Sequence, residues 1–415
     1  MGAFDLTAAD PLMKIHFAPR IEKQFNTAAV LYNKVLPGRG IPVSNRGYEI
    51  PVHTAPNPDF SWFDDGGALP AGSGQDVQRS LALYKRFALA VQFTGDALDA
   101  TNDDAVAYAR ALAFNIRNAT IDAIKYLNIY SFLDGTGFLG KSGETKSLDG
   151  LGITLDVSGA PEGTTYLRKN MLLDIHSGVS STVRGTVKVT SVDSATQITV
   201  DKVSGTDLAN QTTADGFAIV GSFNKTMSGL DTLIDDASST VQGIDRTTIT
   251  EWRANVITLT GSPPLARDHL RRSIAQIQIN LGEVKLGNLE VWSHPAQLQA
   301  YADLGWPLKR FMGGSAKKMD VGYTAYEWEG VPWIIDTDAP KDDLFFLNLA
   351  SLFKVTARPL GFDDRTGNVL RQVPSSTSGR YDDKFVAYLV ARMNMGIYVP
   401  RANTKVKGLA IPTGY

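Results

Sequence analysis

Hydrophobic and polar residues alternate from Val77 to Phe93. Val77, Leu81, Leu83, Phe87, Leu89, Val91 and Phe93 share one face, interrupted by Arg79 and Lys85. A period of two predicts a strand. At about 3.4 Å per residue it would reach on the order of 55 Å, several times the usual length. The preceding RGYEIPVHT (46–54) also reads as extended, with Pro51 marking an edge strand. Between them, APNPDFSWFDDGGALPAGSGQ (55–75) has no period and carries Phe60, Trp62 and Phe63. A structureless loop of that length is usually functional or mobile, and its aromatics are exposed unless something covers them. Residues 46–93 therefore predict a long two-stranded ribbon with an irregular tip. A lone hairpin is marginal in water, so the ribbon needs another surface to lie on.

The period then changes. Ala105, Ala109, Leu112, Ile116, Ala119, Ala123, Leu127 and Tyr130 recur every three or four residues, after Asn102, Asp103 and Asp104 at the start and before Gly135. This predicts a helix roughly 45 Å long. A shorter amphipathic helix is expected over 18–36, from Ile21, Phe25, Ala28, Tyr32 and Val35, stopped by Pro37-Gly38. Residues 150–222 are rich in Thr, Ser, Gly and Val, with short β runs such as NMLLDIHS and GFAIVG, which predicts a small barrel or sandwich inserted as a module. Further on, Leu270, Ile274, Ile277 and Leu281 make a helix closed by Gly282. LEVWSHPAQLQAYADLG reads as a strand, then a helix capped by Ser293 with Pro295 in its first turn. AYEWEGVPWIID reads as a hairpin around Glu329-Gly330. KFVAYLVARMNMGIYV reads as a last long strand, although its spacing also tolerates a helix.

A chain of 415 residues exceeds one core, so two or three domains are expected. The net charge of −2 argues against a nucleic-acid-binding surface covering most of the fold. The absence of cysteine excludes disulfides, thiol nucleophiles and cysteine metal sites. No signal-peptide pattern is visible at the N-terminus, and no apolar run approaches the ~18 residues of a membrane-spanning helix.

One motif suggests chemistry. DGTGFLGKSG (134–143) contains Gly135, four residues, then Gly140-Lys141-Ser142, the letters of a phosphate-binding loop. Such a loop lies between a strand and a helix whose N-terminus faces the phosphates. Here a helix precedes the match and no helical period follows, so it reads as a linker; a nucleotide hydrolase using 135–142 is the alternative. His16, His53, His176, His269 and His294 lie outside metal-ligand spacing. The acid pairs, Asp342-Asp343 among them, are spread through turns. DTDAPKDD (336–343) lacks the Gly and Glu of a calcium loop. Arg267, Arg271 and Arg272 read as a solvated helix face. No catalytic, cofactor-binding or metal-binding residue is assigned, and no enzyme is expected.

The order of elements resembles the major capsid (coat) proteins of tailed bacteriophages, whose fold is shared with encapsulins. The local likeness is strongest in YEWEGVPWIIDTDAPKDDLFFLN, where Gly330, Pro332, Asp336 and Pro340 fall where that family places a Gly, a Pro, a strand-ending Asp and a turn Pro; YVPRANTKVKGL is similar to the family's closing strand and tail. The resemblance implies an α+β phage major-capsid fold: N-terminal arm (1–45), extended loop ribbon (46–95), spine helix of the peripheral domain (96–149), inserted β-barrel-like domain (150–223) as in podovirus-type coat proteins, axial domain (224–320), and peripheral-domain sheet with C-terminal tail (321–415). It implies a structural protein that self-assembles, as hexamers and pentamers, into an icosahedral shell enclosing double-stranded DNA. Inter-subunit contacts are expected at Phe60, Trp62, Phe63, Arg79 and Lys85. The chain starts almost at the arm, so a separate scaffolding protein is implied, with a portal, DNA packaged without sequence specificity, and room for a decoration protein. Location in the virion capsid, assembly in the host cytoplasm and no membrane partner follow. Some members cross-link through a loop lysine; residues 55–76 contain none, so that chemistry is not carried over. An encapsulin-like cargo compartment is a further alternative.

Overall fold

The computed structural model describes residues 28–39, 41–43, 46–65, 67–72, 74–100, 111–159, 161–282, 288–309, 326–364, 368–374 and 381–414. Ile21 and Phe25 of the first expected helix, and Asn102 to Asp104 at the start of the long one, lie outside them.

After α1 (Val30–Lys34), the ribbon consists of β1 (Ile41–Val43), β2 (Gly47–Ala55) and β3 (Asp76–Leu83), all antiparallel. The single strand expected over 77–93 is two strands. β4 (Lys85–Thr94) leaves the ribbon and pairs with β20 (Tyr381–Ile397), from Lys85↔Met393 to Thr94↔Lys384. The handover is fixed by partners distant in sequence. The Tyr84 amide donates to Arg46 O at 2.9 Å, and Asn394 Nδ2 donates to Leu83 O at 2.7 Å. The inward face also switches: Ser80 and Ala82 are buried in β3, while Phe93 is buried and Phe87, Leu89 and Val91 are half-buried in β4. Side chains alternate faces along any strand, so the pattern alone cannot show which face each half buries.

Next come α2 (Gly95–Ala100) and the spine helix α3 (Ala111–Phe132), which buries Ala119, Ala123, Leu127 and Tyr130 along the expected stripe. The chain turns at Gly135 and Gly137, both at positive φ; a Cβ on Gly137 would sit 2.9 Å from Ser222 O. Six strands follow: β5 (Phe138–Lys141), β6 (Ile153–Asp156), β7 (Leu172–His176), β8 (Val183–Val192), β9 (Gln197–Ser204) and β10 (Gly216–Ile219), in the order β5-β10-β7-β8-β9-β6. The two ends of this sheet meet. Lys141 bridges Ser158, and the Gly143 amide donates to Asp156 O at 3.0 Å, so the sheet curls into a barrel around Leu173, Val187, Val200 and Phe217. The sheet of the barrel begins with β5, which directly follows the turn after the spine helix. Its core is continuous with that of the spine helix.

α4 (Leu230–Leu233) and the hairpin of β11 (Thr240–Val241) and β12 (Ile244–Asp245) lead into β13 (Asn255–Thr258), α5 (Arg267–Leu281), β14 (Leu289–Ser293), α6 (Pro295–Lys309), β15 (Glu327–Trp328), β16 (Val331–Ile335) and β17 (Leu344–Asn348). With β21 (Thr404–Lys407) these strands form one mixed sheet, β13-β21-β17-β14-β16-β15, covered by Leu270, Ile274 and Ile277 of α5. β14 and β16 are parallel neighbours joined by the α6 crossover, and parallel pairing keeps both in one sheet. β18 (Leu352–Phe362) and β19 (Arg371–Pro374) share one edge of β20, and β4 takes the other. The long C-terminal segment is thus a strand. Its β18 neighbour is covered by Leu36 to Gly38, which pair with Lys354.

Local punctuation follows the sequence with one exception. Gly282 ends α5 at φ 77°, and Glu329-Gly330 turn at φ 50° and 83°. Ser293 stays in β14, and the cap of α6 is His294, whose Nδ1 accepts the Ala296 amide at 3.1 Å. Burial, and secondarily Lys341, push the His294 imidazole down to about 4, which keeps it neutral and able to accept.

The arm base, spine helix, barrel and mixed sheet converge on one buried polar group. Asp336, after β16, accepts the Leu31 amide at 3.1 Å, Asn128 Nδ2 at 3.0 Å and the Asp338 amide at 3.0 Å. Asn128 of the spine helix also donates to Asp338 Oδ2 at 2.6 Å and accepts the Tyr32 amide at 2.9 Å. Lys125 reaches Asp338 Oδ1 at 2.7 Å, and Tyr166 of the barrel donates to Asp338 O at 2.8 Å. Asp336→Ala would leave the buried Leu31 amide and Asn128 side chain without this acceptor, at ~1–3 kcal/mol each. Urea unfolding of the full chain should show a loss of about 3–5 kcal/mol; a change below about 1 kcal/mol would mean the junction is held elsewhere.

Candidate functional site

Among the described residues, the ribbon tip carries the largest exposed apolar side chains. Phe60 is 81% and Trp62 96% exposed, and Phe63 and Leu69 are exposed beside them. Local turns in the tip are closed by hydrogen bonds from Phe60 N to Pro58 O at 3.0 Å, Gly67 N to Asp64 O at 2.8 Å, and Asp59 N to Asn57 Oδ1 at 2.8 Å. The exposed face continues down β3 through Val77 and Leu83, which the sequence placed on the apolar face of a strand. Arg79 lies on that face, with Nε 3.3 Å from Glu49 Oε1 across the ribbon. Phe60, Trp62, Phe63 and Arg79 thus belong to one ribbon. Lys85 lies apart in β4, where Nζ donates to Asn224 O at 3.1 Å and burial lowers its pKa.

The ribbon base is fixed while the tip is not packed. The Leu81 amide donates to Gln242 O at 2.6 Å, and the Tyr48 and Tyr84 rings meet edge to face at 6.1 Å. Thr54 Oγ1 donates to Asp76 Oδ2 at 3.0 Å where the strands open into the tip. Burying one large apolar side chain stabilises by about 1.5–3 kcal/mol, so Phe60, Trp62, Phe63 and Leu69 offer at most ~6–12 kcal/mol to a partner. Association itself costs about 4–15 kcal/mol. One such contact is marginal, and several closed into a ring are not.

The phosphate-loop letters do not make a phosphate site. Gly140 and Lys141 are in β5, with a helix before them and a further loop after them. The Ser142 amide donates to Asp215 O at 2.9 Å, and the Gly143 amide to Asp156 O. Ser142 is buried, its hydroxyl donating to Glu144 O at 2.7 Å. The donors a phosphate would need are spent on closing the barrel, and among the described residues no helix N-terminus follows the loop. The nucleotide-hydrolase alternative is corrected on this geometry.

The other candidates have structural roles. His269 Nδ1 accepts the Ala266 amide at 3.2 Å, and His176 stacks on Phe223 at 4.8 Å. Among the described residues no group of three or more His, Asp or Glu is arranged to hold a metal ion. Arg271 pairs with Glu329 at 3.1 Å on the surface. A buried charge cluster escaped the sequence reading. Lys405, inside β21, contacts Asp231 and lies 3.5 Å from Asp343 Oδ2. Burial opposes its charge, but Asp343 and Asp231 outweigh it and raise its pKa. Burial pushes Asp343 up to about 7 despite Lys405, and Asp342 up to about 6. The available signal was a lysine at an inward position of TKVK.

No family model matches the chain, and no curated protein sequence matches it. Solved structures do. The capsid asymmetric unit of cyanophage A-1(L) matches with a TM-score of 0.58 at 12% identity, over 94% of this chain and 96% of that one. The capsid of an empty GTA particle matches with a TM-score of 0.51 at 10% identity, over 95% of each chain. What is shared at such identities is the fold: over nearly its whole length the chain has the phage-capsid fold, as the element order implied.

The site geometry gives two expected outcomes. Magnesium and ATP should not shift the melting temperature of the wild type or of Lys141→Ala; a shift in the wild type that the variant abolishes would restore the hydrolase reading. Asp343 has a folded pKa above its unfolded value of 3.8, so the folded state holds an extra proton between about pH 4 and 7. Its stabilising contribution is complete below that window and is lost as pH rises through about 7. The melting temperature of Asp343→Asn minus that of the wild type should therefore increase from pH 5 to pH 7.5, and a constant difference would contradict the shift.

Proposed function

We propose that this chain is a major capsid protein, a non-enzymatic subunit that closes with its copies into an icosahedral shell around double-stranded DNA. The observation that carries the reading is an uncovered aromatic tip on an anchored ribbon, in a chain with the phage-capsid fold. Phe60, Trp62, Phe63 and Arg79 are the contacts we assign to a neighbouring subunit; Lys85 lies apart from them in β4, where its Nζ donates to Asn224 O of its own chain. Closed symmetry supplies the repetition that a marginal contact needs. A net charge of −2 suits a container that must release its genome, because strong phosphate binding would oppose exit. Hexamers and pentamers, a portal, a separate scaffolding protein, an optional decoration protein and assembly in the host cytoplasm before residence in the virion belong to the same reading.

Negative-stain imaging of the purified chain, alone and co-expressed with its scaffolding protein, should show closed shells. Monomers in every condition would reject the proposal. Replacing residues 56–72 by a short Gly-Ser linker should abolish shells while leaving the circular dichroism spectrum and melting temperature of the subunit unchanged. An unfolded, aggregating variant would show instead that the tip serves folding.

A further inference from the structure

The sheet built on β20 has one face in the core and one outside. Ala391 and Met393 are buried with Leu127 and Tyr130 of the spine helix, and Ala387 and Leu389 share their side. The even-numbered residues of β20 form the opposite face. One end of that face is already covered, and the ribbon covers it. Tyr48, Ile50, Ala82 and Tyr84 pack on Phe353 and Val355 of β18, and Asn394 of β20 donates to Leu83 O at 2.7 Å. Beyond Arg392 the same face is open. Ala88 lies opposite Val390, and Ala90 opposite Tyr388. Both alanines are exposed, and so is Tyr388. Small side chains beside an open aromatic ring make a shallow apolar trough, which half-buried Val386 continues.

Where cover stops, the face is cationic. Arg86 pairs across strands with Arg392, and Arg392 with Arg358; like charges set opposite each other destabilise a sheet. Arg358 has Asp363 at 3.0 Å, whereas Arg86 is exposed and makes no ion pair among the described residues. The ribbon tip has the complementary chemistry. Asp59 precedes its aromatics, Asp64 and Asp65 follow them, and residues 55–76 contain no Lys or Arg. These three aspartates are exposed and make no ion pair among the described residues. The lengths also agree. From Arg86 to Gln92 the open face runs about 20 Å, and an extended run from Asp59 to Asp65 spans about the same. Within one chain both surfaces face solvent together, so neither covers the other. A second ribbon is the occupant that fits, because the covered end of this face already takes ribbon side chains and the open end has the charge that an acidic tip lacks.

We propose that this open face of β4 and β20, floored by Ala88, Ala90, Tyr388 and Val390 with Arg86 at its end, is the seat of the ribbon tip of a second copy. The proposal rests on the shell reading, and its test separates the two. Shells of Tyr388→p-benzoylphenylalanine chains, half of them isotope-labelled, are imaged and then irradiated. Cross-links should join position 388 to residues 55–76, pair labelled with unlabelled peptides, and be absent from unassembled subunits. Cross-links from position 388 to other segments alone, in intact shells, would overturn the seat while the shell reading stands. Wild-type chains that never form shells would overturn both. The same cross-linker at Ala88 serves if the Tyr388 variant does not assemble. A charge variant gives an independent readout. Ala90→Glu places an acid in the trough, so it should abolish shells while the subunit melts within about 2 °C of the wild type, as an exposed substitution does. Adding Asp64→Asn and Asp65→Asn to the same chain should restore shells, which repair of a folding defect would not do. Normal shells from Ala90→Glu alone, or no restoration, would overturn the seat.

Discussion

The buried bonds of Asn128 and Asp336 are the constraint on which the architecture depends. The spine helix, the arm base, the barrel and the mixed sheet come from distant stretches of chain, and the turn after β16 of the mixed sheet bonds the other three. Asp336 holds the Leu31 amide and Asn128, Asn128 holds the Tyr32 amide, and Tyr166 brings the barrel to the neighbouring Asp338 carbonyl. A buried carboxylate is costly unless its oxygens are fully used. Here the donors arrive from separate elements, so the carboxylate is satisfied when all of them are in place. That couples the relative placement of the elements to one local condition.

With the body fixed in this way, the ribbon can be an appendage without being loose at its root. Its base is tied through Gln242, Asn394 and Arg46, whereas the aromatic side chains of its tip face solvent. The same division separates the burial patterns: β4 is built into the sheet around β20, and the odd-numbered face of β3 meets solvent. A subunit with a rigid body and an uncovered apolar extension has its lowest free energy with a neighbour in place. The proposed shell role rests on this asymmetry together with the fold.

Much of this was legible in the sequence, and what was not shares a cause. The 3.6-residue period placed Ala119, Ala123, Leu127 and Tyr130 on the buried stripe, and glycines at 282 and 330 marked real turns. These are local signals. The break at Tyr84 is set by Arg46 and Asn394, and the start of the barrel at Phe138 by pairing with β10, which no local window contains. The hairpin at 327–335 was legible from its own residues, but the sheet it joins depends on β14 across the α6 crossover, which no local pattern contains. At the candidate site, the exposed aromatics were visible as a long aperiodic loop rich in Phe and Trp. The Lys405 cluster escaped because its acids, Asp231 and Asp343, come from two segments far apart in the chain, each of which reads as an ordinary turn or helix.

The central claim is that the uncovered face of the ribbon is covered by another copy. Backbone hydrogen exchange over residues 56–83, compared between free subunits and assembled shells, tests it most directly. The account requires slower exchange in the tip and along β3 after assembly, with the spine helix little changed. Equal exchange in both states would contradict it, because the ribbon would then be exposed to water in the shell as it is in the free chain.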